Sequence, residues 1–246
     1  MRVVVTRPES SGKKTAALLR ERGHKAILLP LTQPLHKAEA AANALSVHPA
    51  FIAMTSAEAI RALTISGLNI SAIFNVPLFA VGSATAKAAR SIGFQNVFTG
   101  EGDGRALADL IVRSIEKSDL PSGPLVYLAG NPREGGLEET LHEARIAVKT
   151  VEVYEMRPVE WQRAEVAERL SPAPDAVLLY SKETARTFFS LMSDMTLSAN
   201  LDNTRFIGIS EKVLSAVPEA FRKAAFASEM PRETAMLDLL DRIAGT

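Results

Sequence analysis

The sequence contains no cysteine in 246 residues. Disulfides, thiolate catalysis and cysteine-ligated zinc or iron–sulfur sites are therefore excluded, which fits a reducing compartment. It has no excess of either charge. Lysine plus arginine and aspartate plus glutamate both number 28, so the basic surface of a dedicated nucleic-acid binder is not expected. No apolar run approaches the ~18 residues of a membrane span. Val3-Val4-Val5 is far too short for the apolar region of a signal peptide, and a cytoplasmic protein, in contact with neither membrane nor nucleic acid, is expected.

Several chemistries lack their motifs. Gly100-Glu101-Gly102-Asp103-Gly104 is glycine-rich but matches neither Gly-x-Gly-x-x-Gly nor Gly-Lys-Ser/Thr, and it reads as a flexible loop able to move over a cleft. No Gly-x-Ser-x-Gly elbow is present, which argues against a serine hydrolase of that kind. His24, His36, His48 and His142 have no close metal-ligand spacing; all four read as surface residues, and no metal site is expected.

What is present is ordinary in bulk, with 47% hydrophobic and 23% charged residues, and long enough for one or two domains. Apolar runs recur at residues 2–6, 25–29, 50–54, 77–81, 95–98, 124–128, 148–153, 175–180, 204–209 and 224–227. They lack polar alternation, as strands covered on both faces do. Helical periodicity lies between them, for example at Leu107, Leu110, Ile111 and Ile115. The pattern predicts an α/β protein with doubly wound parallel sheets, ten strands shared between two sheets of five. Gly23 and Gly93 read as helix C-terminal caps, and Ser56, Ser83, Ser181 and Ser210 as N-caps. Pro121-Ser122-Gly123-Pro124 reads as a turn.

The chain also repeats itself. Phe51-Ile52-Ala53-Met54-Thr55-Ser56 and the later Leu78-Phe79-Ala80-Val81-Gly82-Ser83 are echoed by Ala176-Val177-Leu178-Leu179-Tyr180-Ser181 and Arg205-Phe206-Ile207-Gly208-Ile209-Ser210. Val3-Val4-Val5-Thr6-Arg7-Pro8 and Ile27–Leu31 are echoed by Leu125–Gly130 and Val151–Tyr154. A period this long implies duplicated domains rather than a solenoid. It points to a two-lobed protein that binds a ligand in a cleft.

In open α/β sheets ligands sit beyond the carboxyl ends of the strands. The residues there are Thr6-Arg7-Pro8, Thr55-Ser56, Gly82-Ser83-Ala84-Thr85, Ala129-Gly130-Asn131, Ser181 and Gly208-Ile209-Ser210. Hydroxyls, glycines and helix N-terminal amides donate to anions, and a carboxylate gains ~0.3–1 kcal/mol from each helix dipole. Helix capping accounts for any one of these hydroxyls; the set, on two edges, points to an anionic ligand. Arg7 fits an anion contact or a salt bridge at a domain junction. Arg133 lies near a helix start, where a cation is electrostatically out of place, and fits a ligand role or a solvated side chain about equally. Tyr154 and Tyr180 are the acid–base candidates at strand ends, where a packing role is the commoner one.

With these residues in view, the chain resembles the uroporphyrinogen-III synthase family over essentially its whole length. The resemblance is carried by Val5-Thr6-Arg7-Pro8, Thr55-Ser56-Ala57-Glu58-Ala59, Ala80–Ala86, Gly130-Asn131 with Arg133 and Leu137, Val153-Tyr154, Ser181, Ile207-Gly208, Ala227, Pro231 and Leu237. Two positions depart from the family. Gly208-Ile209-Ser210-Glu211-Lys212 stands where Gly-Pro-Thr-Thr-Ala is usual, and Arg133 lies one residue closer to Gly130.

The resemblance implies two flavodoxin-like lobes joined by a two-stranded connection: lobe 1 from 1–34 plus 157–246, and lobe 2 from 36–155, with the active site in the cleft. The repeat by itself would cut the chain near 120. The implied reaction closes the linear tetrapyrrole hydroxymethylbilane to uroporphyrinogen III with loss of water and inversion of ring D, a step of haem biosynthesis needing no cofactor. Tyr154 would assist departure of the hydroxyl. Thr6, Arg7, Thr55, Ser56, Gly82, Ser83, Thr85, Gly130, Asn131, Arg133, Ser181, Gly208 and Ser210 would hold the substrate. A monomer in transient contact with the upstream deaminase is the expected state by family analogy. The alternative reading is a non-catalytic two-lobe sensor of an anionic metabolite.

Overall fold

Val3, Val4 and Val5 are fully shielded from solvent, so the first strand can only run through the middle of a sheet covered on both faces. A computed structural model bears this out and describes residues 1–46, 48–65, 67, 69–117, 123–197 and 201–245. The chain begins with β1 (Arg2–Val5), α1 (Glu9–Glu21), β2 (Lys25–Leu28), β3 (Thr32–His36) and α2 (Ala38–Leu45). Next come β4 (Phe51–Met54), α3 (Ala57–Ile65), β5 (Leu78–Ala80), α4 (Ser83–Ser91), β6 (Val97–Thr99) and α5 (Gly104–Glu116). These are followed by β7 (Leu125–Asn131), α6 (Gly136–Glu143), β8 (Val148–Pro158), α7 (Arg163–Arg169), β9 (Ala176–Leu179) and α8 (Lys182–Asp194). The last elements are β10 (Arg205–Gly208), α9 (Glu211–Leu214), β11 (Ala225–Ala227) and α10 (Glu233–Ala244). Among the described residues, no helix is long and apolar enough to cross a membrane.

The chain divides into two compact units, Met1–Gln33 with Pro158–Thr246, and Pro34–Arg157. In the first, the strand order is β11-β10-β9-β1-β2, and β1, β2, β9, β10 and β11 pair in parallel. Counted within the unit this is 2-1-3-4-5, the flavodoxin order. Val4, Val177, Leu179 and Phe206 pack on one face with Phe188, Phe189 and Met192 of α8. Val3, Val5, Leu178 and Ile207 pack on the other with Leu19 of α1 and Met236, Leu237 and Leu240 of α10. Both faces are covered, which is why these strands read as unbroken apolar runs.

The second unit has the order β3-β8-β7-β4-β5-β6. Ile52, Met54, Leu78, Val126 and Leu128 face α2, α3 and α4. Phe51, Ala53, Phe79, Leu125 and Tyr127 face α5 and α6. Here β7, β8, β4, β5 and β6 hold the places that β1, β2, β9, β10 and β11 hold in the first sheet. The registers agree as well: Val3 pairs with Ala176 as Leu125 pairs with Phe51. The duplication therefore exchanges halves, each sheet taking strands from both copies of the repeat. A cut near 120 would fall inside the second unit, and Pro121 and Ser122 of the expected turn lie outside the described residues.

The expected five-plus-five division is corrected to five and six strands. The additional strand, β3, reads Thr-Gln-Pro-Leu-His, with intermediate and exposed positions alternating, so it shows no apolar run. It lies at the sheet edge, where Pro34 is tolerated because no donor is needed on the open side. β8 runs on to Pro158, well past the apolar part of its sequence. Gly23 and Gly93 follow α1 and α4 with φ of 77° and 120°, the left-handed region expected of caps.

Candidate active site

In the second unit the edge is organised by an irregularity in β8. Ala129 pairs with Glu152 but Gly130 with Tyr154, so Val153 is an extra residue in the ladder. Regular alternation would send Tyr154 to the same face as Glu152. The bulge instead places Val153 and Tyr154 together in the cluster with α3 and α4, while Glu152 reaches Arg133 on the α6 side. Bulges commonly re-aim a side chain in this way. The phenol then lies against Gly130: a Cβ there would overlap Cζ and Oη of Tyr154 and stand 2.7 Å from Cε2. Burial raises the pKa of Tyr154, a hydrogen bond with Ser56 works against the rise, and the charge of Glu58 adds to it. Ser56 in turn accepts from the amide of Glu58 at 3.1 Å.

Thr55 shares a 2.8 Å hydrogen bond with the hydroxyl of Tyr127, a buried residue on β7. Burial also raises the pKa of Tyr127, partly opposed by that bond. Gly82, not Ser83, is the N-cap of α4; Ser83 is the first helical residue and is exposed, whereas Thr85 is buried. No side chain caps α4, and a Cβ built at Gly82 would meet nothing within 4 Å. The first amides of this helix thus open beneath a residue without a side chain, an arrangement suited to a carboxylate.

Asn131 and Arg133 face acidic neighbours. Asn131 Nδ2 lies 3.3 Å from Glu152, and Arg133 binds Glu138 at 2.8 Å and Glu152 at 2.9 Å. Lys37 also approaches Glu152, at 3.4 Å. The hydrogen bonds that Arg133 donates to Glu138 and Glu152 raise its own pKa, and the bond from Arg133 lowers that of Glu152. Arg133 is the centre of an ion-pair network rather than a solvated side chain.

The candidates in the first unit are largely engaged within it. Thr6 is buried, 1% exposed, and its hydroxyl donates to the Leu178 carbonyl at 2.9 Å, so this side chain is a tie between β1 and β9 and presents no donor to a ligand. Arg7 forms an ion pair of 2.8 Å with Glu233 on α10 and lies 4.4 Å over the ring of Tyr180. Its salt bridge is internal to the unit rather than at a junction. The same Glu233 oxygen accepts from Thr15 at 2.5 Å and from Tyr180 at 2.7 Å. Burial and the neighbouring Glu233 charge drive the pKa of Tyr180 far up, and its O–H is spent on Glu233 inside the unit. Ser181 caps α8 by accepting from the Thr184 amide at 3.0 Å. Ser210 occupies the N-cap of α9 without a side-chain cap bond.

Gly208 is buried and is not the counterpart of Gly82. Ile209 donates to Leu179 as Val81 donates to Met54, which aligns Gly208 with Ala80 and Ser210 with Gly82. The two Gly-x signals are thus two residues out of step. The loop Gly100–Gly104 is also more defined than expected: Asp103 caps α5, accepting from the amides of Arg105 and Ala106. The histidines need correction too. The side chain of His24 is only 7% exposed and pairs with Asp241 at 2.7 Å, and that of His36 is 14% exposed and pairs with Glu58 at 3.0 Å. His48 and His142 are exposed. Sequence reasoning misses Tyr127, His36 and Glu58 as neighbours of the site. The signal available for Glu58 is a carboxylate two residues after a strand-end serine, in a helix whose next residues are apolar.

The family model described as Uroporphyrinogen-III synthase HemD matches residues 13–238, which span both units. The uroporphyrinogen-III synthase of Saccharomyces cerevisiae is 29% identical over 151 residues, and the chain spans about half the length of this curated relative, the match covering 55% of each. Among solved structures, uroporphyrinogen-III synthetase from Helicobacter pylori is similar with a TM-score of 0.63 at 18% identity, covering 89% of this chain and 93% of that one. A mutant uroporphyrinogen III synthase from Thermus thermophilus is similar with a TM-score of 0.56 at 17% identity, covering 100% of this chain and 99% of that one. At these identities the structures establish the fold.

Proposed function

Because this chain belongs to the uroporphyrinogen-III synthase family, we propose that it closes hydroxymethylbilane to uroporphyrinogen III, with inversion of ring D and release of water. The observation that carries this reading is the bulge at Val153, which takes Tyr154 off the Glu152 face and sets its phenol on Gly130 beside Ser56. In this reaction the pyrrole nitrogen supplies the electron pair that expels the terminal hydroxyl, leaving an azafulvene. The substituted carbon of ring D attacks that electrophile to give a spiro intermediate, which fragments and closes again. The substrate brings its own nucleophile, so the protein's task is to hold a polycarboxylate in the folded geometry and to ease departure of the hydroxyl. Positioning of that kind can contribute ~7–11 kcal/mol at best.

A tyrosine whose pKa is raised stays protonated at neutral pH. It offers its O–H as a hydrogen bond to the departing oxygen, directly or through water; the hydroxyl takes up one proton and leaves as water, and the pyrrole N–H proton released as the azafulvene forms balances it. The open N-terminus of α4, at Gly82 and Ser83, accepts a substrate carboxylate, and Ser56 on the same unit supplies a further hydroxyl. Arg133 binds a carboxylate by exchanging it for Glu152. A cytoplasmic monomer that meets the upstream deaminase only transiently is part of the same proposal.

The test is a coupled assay in which hydroxymethylbilane is generated enzymatically, this protein is added, the products are oxidised and the uroporphyrin isomers are separated. Mostly isomer III is expected. Isomer I alone, from folded protein, would overturn the synthase reading in favour of a sensor for an anionic metabolite.

A further inference from the structure

Three donors from separate parts of the second unit converge on one carboxylate, that of Glu152. Arg133 Nη1 binds Oε1 at 2.9 Å, while Asn131 Nδ2 and Lys37 Nζ reach Oε2 at 3.3 and 3.4 Å. Asn131 is the last residue of β7, Arg133 lies two residues beyond it, and Lys37 stands between β3 and α2. The carboxyl end of a sheet is where open α/β folds receive ligands. The backbone holds this arrangement in place. The amide of Lys37 donates to the carbonyl of Val153 at 2.8 Å, so the bulge residue itself keeps the lysine beside Glu152.

The two carboxylates on Arg133 are not alike. Glu138 accepts from Arg133 Nε at 2.8 Å and from Thr150 at 3.3 Å; its side chain is 24% exposed and its Oε2 is buried. Glu152 is 36% exposed, so it can turn into water while Glu138 keeps hold of the guanidinium. Ion pairs this open to solvent add little to stability, and exchanging one carboxylate for another among the same donors costs little.

We propose that Lys37, Asn131 and Arg133 form a binding site for one carboxylate arm of the substrate, and that Glu152 is its resident stand-in, displaced when substrate arrives. Glu138 is the fixed anchor that orients Arg133 in both states. Glu152 thus competes with substrate, and Lys37 becomes a ligand residue. The identity of the ligand rests on the synthase reading, but the site itself can be tested without turnover.

The probe is tricarballylate, a small tricarboxylate, titrated at low ionic strength and followed by the side-chain Nε–H signal of Arg133. That signal is assigned by its loss in Arg133→Lys. Glu152→Gln should bind the probe about tenfold more tightly than the parent and should lower KM for hydroxymethylbilane. Glu155→Gln removes an equal charge that lies 3.8 Å from Lys37 on the same strand but outside the cradle, and should move the affinity less than twofold. Lys37→Gln should weaken binding about fivefold, and it serves as the reporter if Glu152→Gln does not fold. Unchanged affinity in Glu152→Gln, or equal gains from Glu152→Gln and Glu155→Gln, would overturn the proposal, as would unchanged affinity in Lys37→Gln. Isomer I alone from the parent protein would sink the synthase reading and leave the carboxylate site standing by itself.

Discussion

The phenol of Tyr154 rests on the Cα of Gly130, so neither residue can be changed without consequence for the other. Gly130 has no side chain because the ring fills that space, and the ring is there because β8 carries one residue too many opposite Ala129 and Gly130. Gly130→Ala should therefore push Tyr154 from its place. Overpacking of this kind costs ~1–3 kcal/mol, to be read as a lower urea midpoint, and formation of isomer III should fall with it. An unchanged midpoint together with unchanged turnover would mean that the strand edge yields more easily than the contact implies.

Tyr154→Phe keeps the ring and removes only the hydroxyl. Turnover to isomer III should fall ~100-fold, at the lower end of what acid assistance contributes, with the melting temperature nearly unchanged. Turnover near that of the parent would remove Tyr154 from the chemistry.

Thr6→Val tests a residue that the family resemblance places in the substrate set and the fold does not. Its hydroxyl is spent on the Leu178 carbonyl inside the sheet. The variant should lose ~1 kcal/mol of stability with KM for hydroxymethylbilane unaltered. A raised KM at parent stability would return Thr6 to the ligand set.

Ser181 and Ser210 stand at N-caps, but only Ser181 makes the side-chain cap bond. Ser181→Ala should cost ~1 kcal/mol of stability and Ser210→Ala less. If Ser210 faces substrate, its variant should instead show a modest rise in KM. Equal stability losses from the two would show that Ser210 is merely another cap.

Glu233 gathers Arg7, Thr15 and Tyr180 on one oxygen. Burial works to raise its pKa, but the bonds from Thr15 and Tyr180 and the charge of Arg7 outweigh it and hold the carboxyl below its usual value. The folded pKa is then lower than the unfolded one, near ~4.3 for glutamate. The contribution to stability is complete above that pH and is lost as pH falls through the folded value. The difference in urea midpoint between the parent and Glu233→Gln should be largest at pH 7 and shrink below about pH 4. A difference independent of pH would show that the network adds no proton-linked stability.

The α/β class, the parallel sheets and the family are legible because valine- and leucine-rich strands such as Val3–Val5 and Ala176–Leu179 have no solvent face to interrupt the pattern. β3 is hidden because an edge strand holding Pro34 has little apolar burial to display. Strand ends show where hydroxyls gather, but not which are already engaged. Ser181 reads as a cap in the sequence and is one, but only the fold shows that the hydroxyl of Thr6 is spent inside a sheet. The bulge that aims Tyr154 leaves no mark in the order Glu152-Val153-Tyr154. It exists only in the pairing with β7.

The exchange of halves between the sheets has a consequence for synthesis on the ribosome. β1 and β2 leave first, but β9, which must cover the other side of β1, follows only after the whole of Pro34–Arg157. The second unit is continuous in sequence and can close as soon as β8 is made, whereas the first must wait with β1 unpaired along one edge. An open apolar edge is a template for wrong pairing. The loop-closure penalty is mild, since each doubling of the intervening length costs only ~0.6 kcal/mol. The hazard is thus one of time rather than of free energy: slow translation between residues 34 and 157 prolongs the exposure of three valines that in the finished protein never meet water.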